Sequence, residues 1–252
     1  MGIKPADDLR RFDGRPFSWV AFSVSDTYPN PLDAAALAAT WDVAWSSLGR
    51  PAPAGLRPEL MAAWAEPDRH YHDPRHLGEC MALWERWREH CRRAGEVGIA
   101  LWFHDAVYDS RDANNELNSA AWAARSLTGA GVDSDTVQRV HDLVMATRHG
   151  APAARRSDSE RSNPEGSNPD AGLLVDIDLA ILGSPAERFE RYDQDVRKEY
   201  AWVQGLRYQE ARARVLRSFL DRPRLYHTEA AVALLERQAR INLTAALSRL
   251  DQ

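Results

Sequence analysis

The sequence of 252 residues holds two cysteines, two lysines (Lys4 and Lys198) and no run of apolar residues near membrane-spanning length. Each scarcity excludes something. A helix that crosses a bilayer needs roughly 18 or more consecutive apolar residues, so none is expected. Two cysteines cannot make a disulfide scaffold. Cys80 and Cys91 fall in one predicted helix, where a rise of about 1.5 Å per residue holds them roughly 15 Å apart, too far to pair. They read as reduced thiols, as in a cytoplasmic protein. Met1 to Asp13 is charged and lacks the apolar core of a secretory leader. A formal charge of −5 argues against a polymeric nucleic acid as partner. A small phosphorylated substrate needs only a local cluster of arginines and stays open. Alternating strand patterns between turn dipeptides are nearly absent, which leaves an all-α chain.

Helical patterning does run through most of the chain. Residues 1–31 mix Gly, Pro and Asp with an aromatic stretch and read as an N-terminal arm; 32–252 read as a single helical domain of about nine or ten helices. Leu32, Ala36, Leu37, Trp41 and Trp45 form one apolar stripe, stopped by Gly49-Arg50-Pro51. Asp73-Pro74 is a cap followed by proline at the first helical position, and opens a helix expected to reach Arg93. Further helices are expected over Val97–Tyr108, Asn115–Leu127 and Asp135–Arg148. A capping box at Ser184-Pro185-Ala186-Glu187 predicts a helix through Val203. Helices over Tyr208–Leu220 and Thr228–Leu250 end the series. Residues 151–171 carry Pro, Ser, Asn and charge with nothing apolar larger than Ala, and predict a mobile insertion. Trp84, Trp87, Trp102 and Trp122 lie on apolar helical faces and read as core.

Histidine and aspartate are unevenly placed. His70, His72 and His76 cluster around one helix start, His104-Asp105 close an almost wholly apolar run, and Asp176 and Asp178 follow the insertion. An imidazole beside a carboxylate at the end of a buried helix is costly unless the two are paired or hold a metal. Imidazole and carboxylate together suit Mn, Fe, Co, Ni or Zn. With no thiol counted among the donors, a structural zinc knuckle is not expected.

The order His76, His104-Asp105, Asp178 resembles the HD superfamily of metal-dependent phosphohydrolases. The segments YHDPRHL (71–77), FHDAVYD (103–109), NELNSA (115–120), ATRH (146–149), LVDIDLAILG (174–183), RKEYAWV (197–203) and LLERQARINL (234–243) are similar to a bacterial group of predicted HD phosphohydrolases. The resemblance implies an all-α HD-domain bundle in which His76, His104, Asp105 and Asp178 bind a divalent metal ion. His72, one turn before His76, competes for the first position or else contacts a phosphate. Asp178 is preferred to Asp176, which lies about 200° around the helix. His141 and His149 are the candidates for a second metal, but a separation of eight residues turns them about 80° apart, and one metal is preferred.

The resemblance also implies an acidic residue after the doublet that handles the attacking water. Tyr108-Asp109 stand where some relatives have Glu-Asp, so Glu116 becomes the candidate general acid/base. Its alternative reading is a carboxylate that stabilises a helix N-terminus. Arg75, Arg148 and Arg207 are candidate phosphate clamps. The expectation is a metal-dependent phosphohydrolase of a small phosphorylated metabolite such as a nucleotide, with a homodimer allowed. Two other readings keep the same site: an HD-type di-iron oxygenase and a non-catalytic nucleotide-binding sensor.

Overall fold

The computed structural model describes residues 28–148 and 168–250. Ten helices and no strand are found among them. They are α1 (Ala34–Ser47), α2 (Leu56–Trp64), α3 (Pro74–Trp87), α4 (Ala94–Phe103), α5 (Asn115–Gly129), α6 (Ser134–Met145), α7 (Pro169–Asp178), α8 (Ala186–Glu199), α9 (Gly205–Leu220) and α10. The last is built from Glu229–Ala231, a π turn over Val232–Glu236, and Arg237–Leu250. Among the described residues, no helix is long and apolar enough to cross a membrane.

Helix α4 organises the bundle. Gly95 to Phe103 are all buried, and α1, α3, α5, α6 and α7 all pack against it. A helix that is apolar all round belongs in the middle of a core, and the sequence AGEVGIALWF meets that condition except at Glu96, whose carboxylate is paired with Arg139. Gly98 lets α3 approach closely: a Cβ there would lie 2.8 Å from the Trp84 ring and 3.1 Å from the Ala44 Cβ. Alanine favours a helix interior over glycine by about 1 kcal/mol, but an indole wedged between helices cannot retreat. Gly98→Ala is expected to lower stability by about 1–3 kcal/mol, read as an earlier urea midpoint.

Several helix ends differ from the sequence expectation, for identifiable reasons. The helix opened by Asp73 stops at Trp87 and tightens into a 3-10 turn at Arg88–His90. The backbone N–H groups of Arg92 and Arg93 donate instead to the buried Asp170 carboxylate, at 2.7 and 2.9 Å. Cys91 therefore lies outside the helix that carries Cys80. Asp170 is itself in α7, which begins at Pro169 with Asn168 as its cap. The last residues of the expected insertion 151–171 are thus helical, and 151–167 lie outside the described residues, as does most of the arm 1–31.

The capping box at Ser184 is not formed. Its hydroxyl is buried without a hydrogen-bond partner, and the Pro185 carbonyl accepts from Arg188 and Phe189 to start α8. The Asn242 side chain takes the Ser184 carbonyl at 2.8 Å, which draws this residue toward α10 and out of capping geometry. Helix α8 ends at Glu199 rather than Val203.

Candidate metal centre

A buried helix end must find partners for its last carbonyls. At the end of α4 each partner comes from a different place. Leu101 O accepts from the His104 ring at Nδ1 (2.7 Å), Trp102 O from the Trp64 indole (3.1 Å), and Phe103 O from the Ala106 N–H (2.9 Å). Arg69 then donates to the carbonyls of His72, Asp105 and Ala106. Its guanidinium is buried and lies 5.7 Å from the Trp64 ring and 5.6 Å from the Tyr108 ring. This one side chain ties the segment before α3 to the turn after α4. The His104-Asp105 doublet is fixed between them.

The His104 contact decides a tautomer. With Nδ1–H donated to Leu101 O, Nε2 carries a lone pair. That lone pair faces His76 Nε2 at 3.2 Å, Asp105 Oδ2 at 3.2 Å and Asp178 Oδ1 at 3.5 Å. His76 Nε2 lies 3.3 Å from Asp178 Oδ1 and 3.8 Å from Asp105 Oδ2. Asp73 Oδ1 accepts from the His76 N–H at 3.1 Å, so the predicted cap also sets where the first histidine stands. All four sequence-predicted ligands therefore meet at one point, from α3, the end of α4 and the end of α7.

Three features fit this point to a cation. Both imidazoles are buried, and an outer hydrogen bond of the His104 type is what metal-ligating histidines commonly make. His104 and Asp105 follow the C-terminus of α4 and Asp178 closes α7, helix ends that favour positive charge, while His76 lies in the first turn of α3. The donors also demand positive charge among themselves. Burial opposes charging His104, but Asp105 and Asp178 carry its pKa well above the usual histidine value. Burial would raise Asp105, but His104 and His72 hold it below the usual carboxylate range.

Cys80 joins the cluster, against the expectation that no thiol would take part. It lies one turn beyond His76 on α3, with Sγ 3.7 Å from His76 Nδ1 and 3.8 Å from Nε2. His76, Cys80, His104 and Asp178 each place one donor atom within 4.8 Å of the others. Burial, followed by the charge of Asp178, pushes the Cys80 thiol well above its usual range. The i, i+4 spacing of His76 and Cys80 was present in the sequence as the signal for this neighbour.

The other named residues are spread more widely. His72 is held beside the cluster: Nδ1 meets Glu199 Oε2 at 2.8 Å, its ring stacks on Tyr108 with centroids 4.0 Å apart, and it lies 6.0 Å from the His76 ring. Burial lowers the His72 pKa, but the Glu199 hydrogen bond and charge outweigh it, and the net shift is upward. Asp176 points elsewhere, accepting from the His227 and Thr228 backbone and side chains at 2.6–3.0 Å. Glu116 lies in the first turn of α5, the helix-terminal position of its alternative reading. His141 contacts its neighbour Asp142, and His149 lies outside the described residues.

Of the three arginines, Arg148 donates to Ala113 O and Arg207 is exposed on α9. Arg75 contacts the buried Glu79 at 3.4 Å, whereas Arg188 grips the same carboxylate with two bonds of 2.6 and 2.7 Å.

Glu199 is the residue that the sequence did not single out. Its Oε1 accepts three successive backbone N–H groups, from His70, Tyr71 and His72, at 2.7–2.9 Å. Its Oε2 receives the His72 ring and the Tyr108 hydroxyl, the latter at 3.0 Å. The signal is only its presence in RKEYAWV, more than 120 residues from the histidine it orients.

A cavity of about 430 Å³ borders the turn that follows the doublet, at Ala106 and Val107, with Glu59, Glu66, Tyr108, Asp109, Asp112 and Trp122 in its lining. Four carboxylates make it an unfavourable place for a phosphate, so an anionic substrate would meet the cluster on another side.

Fold and site together define an all-helical protein with a buried candidate metal centre. No protein-family model, no curated protein and no solved structure matches the chain.

Proposed function

We propose that this protein is a metal-dependent phosphohydrolase that cleaves a phosphoester of a small metabolite, with nucleotides the first class to test. One observation carries the reading: His76, His104 and Asp178, distant in sequence, converge with donor atoms 3.2–3.5 Å apart, and Asp105 Oδ2 lies 3.2 Å from His104 Nε2 and 3.8 Å from His76 Nε2. Their order along the chain supports it, through the resemblance to the HD superfamily.

A divalent ion bound there would supply Lewis acidity toward a phosphoryl oxygen and a more acidic water. The chain's own residues supply the rest. Hydrolysis adds water at phosphorus and releases the ester oxygen, which must gain a proton. His72 is the candidate donor: Glu199 holds Nδ1, and Nε2 remains as the ring's second proton site. Tyr108 holds that ring in place by stacking and by sharing Glu199. Arg75 is the candidate phosphate partner, because Arg188 already neutralises Glu79 and the 3.4 Å contact of Arg75 is the weaker one. Only two histidines enter the cluster among the described residues, which favours one ion over two.

The test is phosphate release from a panel of nucleotides and other phosphoesters by protein loaded with Mn, Co or Ni. Activity lost on chelation, restored by metal and absent in Asp178→Ala supports the reading. Metal-loaded protein that hydrolyses nothing in the panel overturns it. His72→Asn is expected to lower kcat by about 100-fold or more while metal content stays at the wild-type level.

A further inference from the structure

We infer that a divalent ion held by His76, His104 and Asp178 also takes the Cys80 sulfur as a ligand, so that the site selects a thiophilic ion over Mg or Mn. This rests on the metal reading of the site and adds a donor to it.

The three non-sulfur atoms set the geometry. His76 Nε2, His104 Nε2 and Asp178 Oδ1 form a triangle with sides of 3.2, 3.3 and 3.5 Å. Bonds of about 2.0–2.2 Å at a tetrahedral angle separate neighbouring donors by about 3.3–3.6 Å, and a right angle in an octahedron by about 2.8–3.1 Å. The triangle has the dimensions of a tetrahedral face. An ion seated on this face has its other side open to further ligands, and two groups border it.

Asp105 Oδ2 is one, at 3.2 Å from His104 Nε2 and 3.8 Å from His76 Nε2. Cys80 Sγ is the other, at 3.8 Å from His76 Nε2; a thiolate bond of about 2.3 Å calls for a sulfur–nitrogen edge of about 3.6 Å. Sγ is nearly equidistant from the two nitrogens of the His76 ring, so it rests beside the ring and off the lone-pair line of either one. Sγ already lies within 4.8 Å of the His104 and Asp178 donor atoms, and a staggered step in χ1 moves a cysteine sulfur by about 3 Å, so the adjustment that coordination requires is of the size a rotamer change supplies. Among the described residues its hydrogen-bond contacts are with the His76 ring alone, so little there opposes that step. On coordination the thiol proton leaves to solvent and the sulfur binds as thiolate. A soft sulfur donor favours Zn, Co(II) or Fe(II) over harder ions.

The full chain loaded with Co(II) tests this by absorption. A bound thiolate gives an intense near-ultraviolet sulfur-to-cobalt charge-transfer band beside the visible d–d bands. The wild type and Cys91→Ser are expected to show both; Cys80→Ser is expected to keep the d–d bands and lose the charge-transfer band. Its preference for Zn over Mn should fall on the order of tenfold. Should Cys80→Ser fail to fold, X-ray absorption on zinc-loaded wild type answers alone, through a sulfur shell at about 2.3 Å. Co(II) or Zn bound by the wild type without a sulfur signature overturns the role of Cys80 and leaves the metal site standing. A wild type that binds neither ion overturns both.

Discussion

Adding zinc or cobalt to chelated protein will raise its thermal unfolding midpoint by roughly 8–16 °C when the ion is present at about a thousand times its dissociation constant. Binding to the folded state alone contributes about 4 kcal/mol at that excess, and a chain of this size gains about 2–4 °C per kcal/mol. The buried carboxylates give this effect a structural basis. Asp105 and Asp178 lie against His76 and His104 with little water available, so an ion bound there would offset the negative charge that the two carboxylates concentrate. His104→Ala removes the donor whose lone pair the Leu101 carbonyl orients, and should abolish the shift. Asp178→Asn should do the same with less disturbance of packing. Calorimetry with and without metal reads both. A variant that retains the full shift would place the ion elsewhere in the molecule.

Glu199→Ala will be the most destabilising single carboxylate removal in the protein, by about 3–5 kcal/mol. Five donors converge on a side chain with no solvent exposure, and alanine leaves all of them without their acceptor. Glu199→Gln should cost less, since an amide oxygen still accepts from the backbone. The pH dependence identifies the mechanism. Burial alone would raise the Glu199 pKa, but the hydrogen bond and charge of His72, with the backbone N–H groups, bring it from 4.5 to about 2. A folded-state value below the unfolded one gives stability that is present above pH 4.5 and lost as pH falls toward 2. At 1.36 kcal/mol per unit the depression corresponds to about 3 kcal/mol, in line with the mutational expectation. His72, shifted upward, adds stability below its unfolded value that fades as pH rises through its folded one. Urea midpoints across acid pH should slope for the wild type and slope less steeply for Glu199→Ala, with the remaining slope carried by groups such as Asp105.

What the sequence revealed and what it hid divide along physical lines. The apolar run of α4, the Asp73-Pro74 cap and the positions of His76, His104, Asp105 and Asp178 were legible because each rests on local spacing and residue type. Glu199 and Arg69 were not. Their roles consist of hydrogen bonds to backbone atoms of other segments, and backbone groups leave no mark in a sequence pattern. The missed helix ends have the same origin: Asp170 ends α3 by accepting the N–H groups of Arg92 and Arg93. Cys80 stands among the apolar residues of α3 and reads from the sequence as a reduced core thiol; only the fold brings the donors of His104 and Asp178 to it.

Suspending the His104-Asp105 doublet from the most enclosed helix has a kinetic consequence. Local opening frees segments that have few buried contacts, and α4 packs against five other helices. The amides of Ile99 to Phe103 should therefore exchange with solvent deuterium only when the whole bundle unfolds. The donor atoms on the doublet are then held in place for as long as the protein is folded, and among the described residues the cluster opens to solvent past the partly exposed side chains of Asp105, Asp178 and His72. Ion exchange through that opening need not wait for any motion of the core.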